Sequence, residues 1–225
     1  MLGWLAMVWV AWSGVSEVED LPPAEEEEAE APGPVRYDLD PERSDLWVLL
    51  RYDRSAALSG AMGNDHVIAA TGWRGQVTWD VDDPSACAVH ITVPVEGLTV
   101  DPPGARDRAG LEGDTSERNR GRIADNMWGR RQLHASSFPE ITFEATRCQG
   151  TTGTVPVHGE LSIRGMSRPV EVEMTVEADG SSFSAEGALD ITHTAFGFDP
   201  FTNVMGALRN DDRLTVNVEV RGAAR

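Results

Sequence analysis

Apolar and polar residues alternate along much of the chain, most regularly between Phe138 and Ile191. A period of two residues is typical of β-strands that have one face in water and one face in a protein interior. Glycines lie between these segments, as the turns of β-hairpins require. After a possible first segment at Tyr37–Asp40, the pattern predicts strands at 46–52, 76–81, 87–95, 140–148, 155–164, 169–178, 182–191 and 213–221.

Strands of this kind form antiparallel sheets, and such a sheet must bury its apolar face. It does so either by closing into a barrel or by packing against a second sheet. The chain has 225 residues, and 40% of them are hydrophobic. This is enough for one all-β domain with a substantial core, preceded by a leader.

The segment from Ser116 to Leu133 has a different periodicity. Ile123, Met127 and Trp128 follow a helical spacing and are surrounded by arginines. Asp114, Thr115 or Ser116 can supply the N-cap of its first turn. The pattern predicts one amphipathic helix of about three to four turns within this segment, inserted between two strands. The Pro- and Gly-rich residues 99–115 before it predict an exposed loop.

A second unusual segment, 192–212, is apolar where a loop should be polar. It must therefore pack on something, and the barrel mouth and the inserted helix are the natural candidates. We expect the helix and this loop to form a lid over the mouth, where a Met side chain can adapt to varied ligand shapes. The predicted lid residues are Met127, Trp128, Phe196, Phe198 and Phe201.

The net charge of −18 is uneven, because eight acidic residues and no basic one lie between Glu17 and Glu30. Without them the chain has 29 acidic residues against 19 arginines. An acidic body of this kind does not suit nucleic acid, which requires a basic face, and it should be repelled by anionic lipid. The chain has no Lys, which excludes a lysine nucleophile or Schiff base.

Composition divides the chain into three parts. Residues 1–16 are apolar and match a secretory signal peptide, although no basic residue precedes them, and an uncleaved short anchor is the alternative. Residues 17–36 are rich in Glu, Pro and Ala, which predicts a disordered acidic tether. Residues 37–225 are expected to form the folded domain. The leader predicts a periplasmic or secreted protein.

The chain has two cysteines, Cys87 and Cys148, and an even number in an exported protein suggests a disulfide. Cys87 opens one predicted strand and Cys148 closes another, so antiparallel pairing would place them side by side. Strict alternation, however, puts them on opposite faces of the sheet. The bridge therefore requires a bulge or a frayed strand end.

Three groups of residues together resemble the YceI-like family: Phe138–Phe143, Gly159–Gly165 with Pro169-Val170, and Phe196-Gly197 before a final strand of alternating Val. The resemblance covers about residues 37–221. It implies a single antiparallel lipocalin-like β-barrel, from an exported bacterial protein, that holds a polyisoprenoid, an isoprenoid quinone-like lipid or another long amphiphile. The early His-Ser pair of the family is replaced here by Arg43-Ser44, so the resemblance indicates a divergent member and does not identify the ligand.

An apolar barrel interior suits an apolar ligand. The expected lining is Trp79, Val89, Ile91, Ile141, Phe143, Leu161, Ile163, Val172, Met174, Leu189 and Val216, with the lid residues above them. The alternative is that these side chains simply fill a small barrel. Arg130 and Arg131 are candidates for holding an anionic head group, although they also fit the solvated face of the helix.

The sequence offers little for catalysis. It contains no nucleophile elbow, no phosphate-binding loop and no dinucleotide-binding glycine pattern. His66, His134 and His193 fall in loops or at element ends and could converge at one mouth, but no pair has the spacing of a helical zinc site. We expect no catalytic residue, cofactor or metal. Three functions are left: a lipid carrier, a hydrolase with polar groups in the cavity, or a filled barrel that acts as an envelope interaction or stress-response protein.

Overall fold

The computed structural model describes residues 33–57 and 63–225. The predicted leader and nearly all of the predicted tether lie outside these residues. The first strand begins at Val35, two residues before the predicted start of the domain. The strands are β1 Val35–Leu39, β2 Asp45–Tyr52, β3 His66–Ala70, β4 Arg74–Trp79, β5 Ala88–Pro94, β6 Leu98–Val100, β7 Glu140–Cys148, β8 Gly153–Ile163, β9 Met166–Ala178, β10 Ser182–Thr192, β11 Thr202–Asn203 and β12 Leu208–Ala224. The α-helices are α1 Ala105–Arg108 and α2 Glu117–Trp128.

The strands form a closed antiparallel barrel of eight strands, in the order β1-β4-β5-β7-β8-β9-β10-β12. The pairing of β1 with the end of β12, from Tyr37 opposite Ala224 to Leu39 opposite Gly222, closes the barrel. β12 is 17 residues long. Its earlier part therefore has room to pair with β2, and β3 and β6 extend the sheet from there.

The two ends of the barrel differ. At the end near Tyr37, which we call the closed end, the rings of Tyr37 and Trp79 lie 5.5 Å and 5.6 Å from the ring of Phe183 and fill the interior. At the other end, α2 and the β11–β12 hairpin surround an opening, which we call the mouth. Neither helix in the described part of the chain has the length and hydropathy needed to cross a membrane.

The strands predicted from alternation are all present, with ends shifted by a few residues. β12 shows the largest shift, since it begins at Leu208 rather than at residue 213. β3 and β6 were not predicted. They contain five and three residues, which are too few for alternation to show.

The prediction of an exposed loop at 99–115 is only partly confirmed, because eight of these residues are exposed but others are not. Asp101, Ala105 and Thr115 are all buried, and this segment contains α1. The backbone amide of Asp101 donates to the carbonyl oxygen of Val67 on β3 at 2.8 Å. The segment is therefore packed on the sheet through buried polar contacts, which composition does not reveal.

The inserted helix is present, and its 12 residues make just over three turns, as predicted. The Ser116 side chain accepts a hydrogen bond from the amide of Asn119, as an N-cap does. The helix ends at Trp128 rather than Leu133, because the backbone of Gly129 is extended and the chain turns back there. The amide of Leu133 donates to the carbonyl oxygen of Met127 at 2.9 Å and stabilises this turn.

Cys87 and Cys148 form a disulfide near the closed end of the barrel. The pairing of β7 with β8 shifts register between Ala145 and Arg147. This irregularity turns Cys148 to the inside, where it is buried, and so removes the conflict with strict alternation. Cys87 precedes the first residue of β5. The alternation of side chains along β5 therefore does not fix the face on which Cys87 lies.

We predict that the double variant Cys87→Ser/Cys148→Ser unfolds more readily than the wild type. The bridge joins residues with a sequence separation of 61, and loop entropy for such a bridge gives on the order of 4 kcal/mol. We expect a loss of about 2–4 kcal/mol in the free energy of unfolding, measured by denaturant titration under oxidising conditions. Equal stability of the oxidised protein and the variant would contradict this role.

Candidate ligand-binding cavity

The barrel encloses a cavity of about 850 Å³. Side chains of β2 and β12 show that this space is open. Leu46, Val48 and Leu50 on β2 line the cavity, yet each is only partly buried. The same holds for Val216 and Val218 on β12. An inward-facing aliphatic side chain keeps exposed surface only where no neighbour fills the space, so this is not a barrel filled by its own side chains.

The floor of the cavity is aromatic. Trp79 is buried and lines the cavity beside Phe183. Its indole nitrogen donates to the carbonyl oxygen of Thr151 at 2.9 Å. Because this polar atom is satisfied, the floor presents apolar surface to a ligand.

One wall of the cavity depends on a glycine. Phe143 on β7 lies opposite Leu161 on β8, and both line the cavity. A Cβ atom at Gly159 would lie 2.5 Å from an atom of the Phe143 ring. Glycine at this position leaves room for the ring to lie against the wall.

Helix α2 contributes one face to the mouth. Asn119, Arg122, Ile123, Asn126 and Met127 line the cavity, and their helical spacing places them on the same side of the helix. Ile123 and Met127 also pack against the barrel core. The face is therefore mixed, with polar groups for the head of a ligand and apolar groups that continue the apolar interior.

A buried carboxylate joins β3 to the segment that precedes α2. Asp101 Oδ2 accepts hydrogen bonds from His66 Nδ1 at 2.7 Å and from the hydroxyl of Thr115 at 2.6 Å. Asp101 Oδ1 accepts from the amide of Val67 at 2.8 Å. Burial alone would raise the pKa of Asp101, but these hydrogen bonds outweigh it and lower the pKa to about 2.

Arg106 completes this network. Its guanidinium lies 3.4 Å from Asp101 Oδ2. It also donates to the carbonyl oxygens of Asp65, Glu112 and Gly113 at 2.7, 2.6 and 3.0 Å, which holds the chain segment that leads into α2. Although Arg106 lines the cavity, its charge is balanced by Asp101 and its donors are occupied, so it is poorly suited to bind an anionic ligand.

His193 is a second buried polar group at the mouth. Its Nδ1 donates to the carbonyl oxygen of Asp212 at 2.9 Å, and its ring lies edge-on to that of Phe198 at 5.3 Å. Burial lowers the pKa of His193, although the nearby Asp212 opposes this effect. The ring is therefore neutral near pH 7, and its Nε2 can accept a hydrogen bond from a hydroxyl group.

Most of the residues predicted for the site line this cavity. They are Trp79, Val89, Ile91, Met127, Ile141, Phe143, Leu161, Ile163, Val172, Met174, Leu189, Phe198, Phe201 and Val216. Two predicted lid residues are not part of the lining. Phe196 is buried in a cluster with Ile163, Ile191 and Phe198. Trp128 follows Met127 on α2, where a step of one residue turns the side chain to a different side of the helix.

The predicted head-group residues lie outside the cavity. Arg130 and Arg131 follow the end of α2, and neither belongs to the lining. Arg122, about two turns earlier, does, together with Asn119 and Asn126. These three residues were not predicted, although their helical spacing from Ile123 and Met127 places them on the same side of the helix and was a usable signal.

The predicted convergence of histidines is partly realised. His66 and His193 line the cavity, whereas His134 does not and instead contacts Ser137 and Phe138. Within residues 33–57 and 63–225, no group of three or more His, Cys, Asp or Glu residues is placed to hold a metal ion.

Comparisons with known proteins agree with this architecture. The family model described as the YceI-like domain matches residues 37–221. Among solved structures, BcnA from Burkholderia cenocepacia superposes with a TM-score of 0.59 at 19% identity, covering 82% of this chain and 99% of that one. The YceI protein of Campylobacter jejuni superposes with a TM-score of 0.51 at 14% identity, covering 69% and 82% respectively. No curated protein matches this chain in sequence.

The low pKa of Asp101 predicts a loss of stability in acid. A carboxylate with a lowered pKa contributes stability that is fully present above its ordinary value of 3.8 and is lost as the pH falls through the folded value of about 2. We expect this group to account for a fall of about 2 kcal/mol in the free energy of unfolding between about pH 5 and pH 1.5. Denaturant titrations across this range measure it.

The matched variant is Asp101→Asn, which nearly keeps the shape of the side chain and removes its titration. It should be less stable than the wild type at pH 7, and it should lose less stability on acidification. A pH profile in this variant that parallels the wild type would show that other carboxylates cause the acid sensitivity.

Proposed function

The chain belongs to the YceI-like family, and we propose that it carries or stores a long-chain apolar or amphiphilic molecule in its barrel without transforming it. The family is known for barrel proteins that bind polyisoprenoids and other lipids. For this chain, the proposal is supported by the shape and chemistry of its own cavity.

The observation that carries the proposal is the open apolar interior. A cavity of about 850 Å³ falls within the range of about 300–1,000 Å³ that small-molecule sites occupy. Each methylene group of a chain that enters it gains about 0.8 kcal/mol. A ligand would also cover the exposed surface of Val48, Leu50 and Val216, which is otherwise open to water.

The polar groups favour holding a head group rather than changing it. His66 and Arg106 are engaged with Asp101, and Nδ1 of His193 is engaged with a carbonyl oxygen. Among the described residues, no serine, threonine or cysteine in the lining is hydrogen-bonded to a histidine, as an activated nucleophile would be. A hydrolase therefore has less support than a carrier.

The place of action that we propose is the bacterial cell envelope, in the periplasm or outside the cell. The apolar residues 1–16 and the acidic residues 17–30 fit an exported protein with a leader and a spacer. The Cys87–Cys148 disulfide fits an oxidising compartment.

The experiment that tests the function is native mass spectrometry of the protein purified from its exported compartment, followed by organic extraction. A bound species of one long-chain class would support the carrier function and identify the ligand. A ligand-free protein that takes up neither added polyprenols nor quinones would contradict it, and would favour an envelope interaction or stress-response protein.

We predict that Leu161→Arg abolishes uptake of a fluorescent polyprenol analogue, because it places a charge in the apolar wall. Burying an unpaired charge costs several kcal/mol, enough for a loss of binding of at least about a hundredfold. Glu160→Arg is the matched control, since this neighbouring residue is exposed on the outer face of the same strand. It should bind as the wild type does.

Circular dichroism and a thermal melt of both variants establish that each one is folded. Retained uptake by a folded Leu161→Arg protein would mean that the ligand binds outside the barrel, and this would overturn the assignment of the cavity.

A further inference from the structure

Charge is distributed unequally between the mouth end and the rest of the barrel. The mouth end comprises residues 51–54, 63–66, 71–74, 94–97, 101–140, 164–168 and 190–214, and contains 14 arginines and 14 acidic residues. The rest of the described chain contains 5 arginines and 15 acidic residues. The net charge is therefore about 0 at the mouth end and about −10 elsewhere.

Several arginines around the mouth form no ion pair with a carboxylate of the described chain. Nine other arginines do form such pairs. Six of the rest lie in or after α2 and around the turn between β8 and β9: Arg118, Arg122, Arg130, Arg131, Arg164 and Arg168. Arg164 donates to the carbonyl oxygen of Arg130 at 2.9 Å, which shows that these two segments adjoin.

The same end presents an exposed apolar side chain. Met205 is fully exposed at the tip of the β11–β12 hairpin. Its φ of +54° is a left-handed conformation that favours glycine. A methionine in this position contributes no packing to the barrel, so neither backbone preference nor core stability accounts for it.

The hairpin and helix α2, which contains or adjoins four of these arginines, surround one opening. Thr202 and Leu208 from the hairpin line the cavity, and so do Asn119 and Arg122 from α2. A surface laid across the mouth would therefore meet Met205 at the tip of the hairpin and the arginines in and after α2. Guanidinium groups pair well with phosphate oxygens, and an apolar side chain among them can enter the boundary between head groups and acyl chains.

We infer that the mouth end docks on an anionic phospholipid surface, with Met205 in the lipid and the arginines over the phosphates. The repulsion expected from the net charge then acts mainly on the closed end, which turns away from the membrane while the mouth faces it. This docking goes beyond the binding of a cargo and does not depend on it.

The test is hydrogen exchange of the full chain with vesicles of phosphatidylcholine, with and without phosphatidylglycerol. The amides of residues 202–209 and 128–133 should become protected when phosphatidylglycerol is present, and those of β1 at the closed end should not. This readout reports which end meets the lipid, whatever the contribution of residues 1–16. Protection confined to the closed end, equal at both ends, or absent from both would overturn the inference.

Variants separate charge from apolar contact. Arg130→Ser/Arg131→Ser should weaken binding to vesicles that contain phosphatidylglycerol by about thirtyfold, since each arginine near the surface contributes to the attraction. The control, Arg36→Ser/Arg43→Ser, makes the same change of charge away from the mouth and should bind nearly as well as the wild type. Met205→Ser should weaken binding by about threefold to tenfold.

These measurements use no cargo, so a failure of docking is distinguishable from a failure of ligand binding. If an envelope protein, but not vesicles, protected the amides at the mouth from exchange, the partner would be a protein and the inference of lipid docking would be overturned. Equal loss of binding in both pairs of arginine variants would also overturn it, because it would show a general effect of charge rather than a docking face.

Discussion

β12 holds the barrel together, because it pairs with other strands along both of its edges. Along one edge, β12 pairs with β10 over eleven residue pairs. Along the other edge it pairs first with β2 and then, at its end, with β1. The pairing with β1 closes the sheet into a barrel. The side chains on one face of every barrel strand must then point into the interior. An eight-stranded barrel is just wide enough to be filled by its own side chains or to hold one small ligand.

Whether the barrel is filled or open depends on the size of the inward-facing side chains at each level along its axis. The closed end has the rings of Tyr37, Trp79 and Phe183, which meet across the interior. The middle is lined mainly by Val, Leu and Ile, which leave the space between them open. An unfilled interior lacks contacts that would otherwise stabilise the fold. The disulfide at one end and the Asp101 network at the other are independent sources of stability for such a barrel. The mixed face of α2 and the arginines both lie at the mouth. The residues that would bind the cargo and those proposed to dock on lipid are therefore at the same end of the barrel.

The class of fold could be predicted from the sequence, and most of the residues predicted for the site do line the cavity. Alternation with a period of two places Phe143, Leu161 and Val216 inward wherever a strand is long and regular. Helix α2 could also be predicted, because its N-cap and the spacing of its apolar residues are local signals in the sequence. The family resemblance, now confirmed over residues 37–221, supplied the step from sheet to barrel.

Contacts between residues distant in sequence account for the features that could not be predicted. Alternation does not reveal the β7 irregularity that turns Cys148 inward, or the short strands β3 and β6. The burial of Asp101 depends on His66 and Thr115, which are 35 and 14 residues away. The placement of Arg122 in the lining depends on how α2 lies across the mouth. Whether the barrel is open or filled follows from distances across its interior, and a linear pattern of residues contains no such distance.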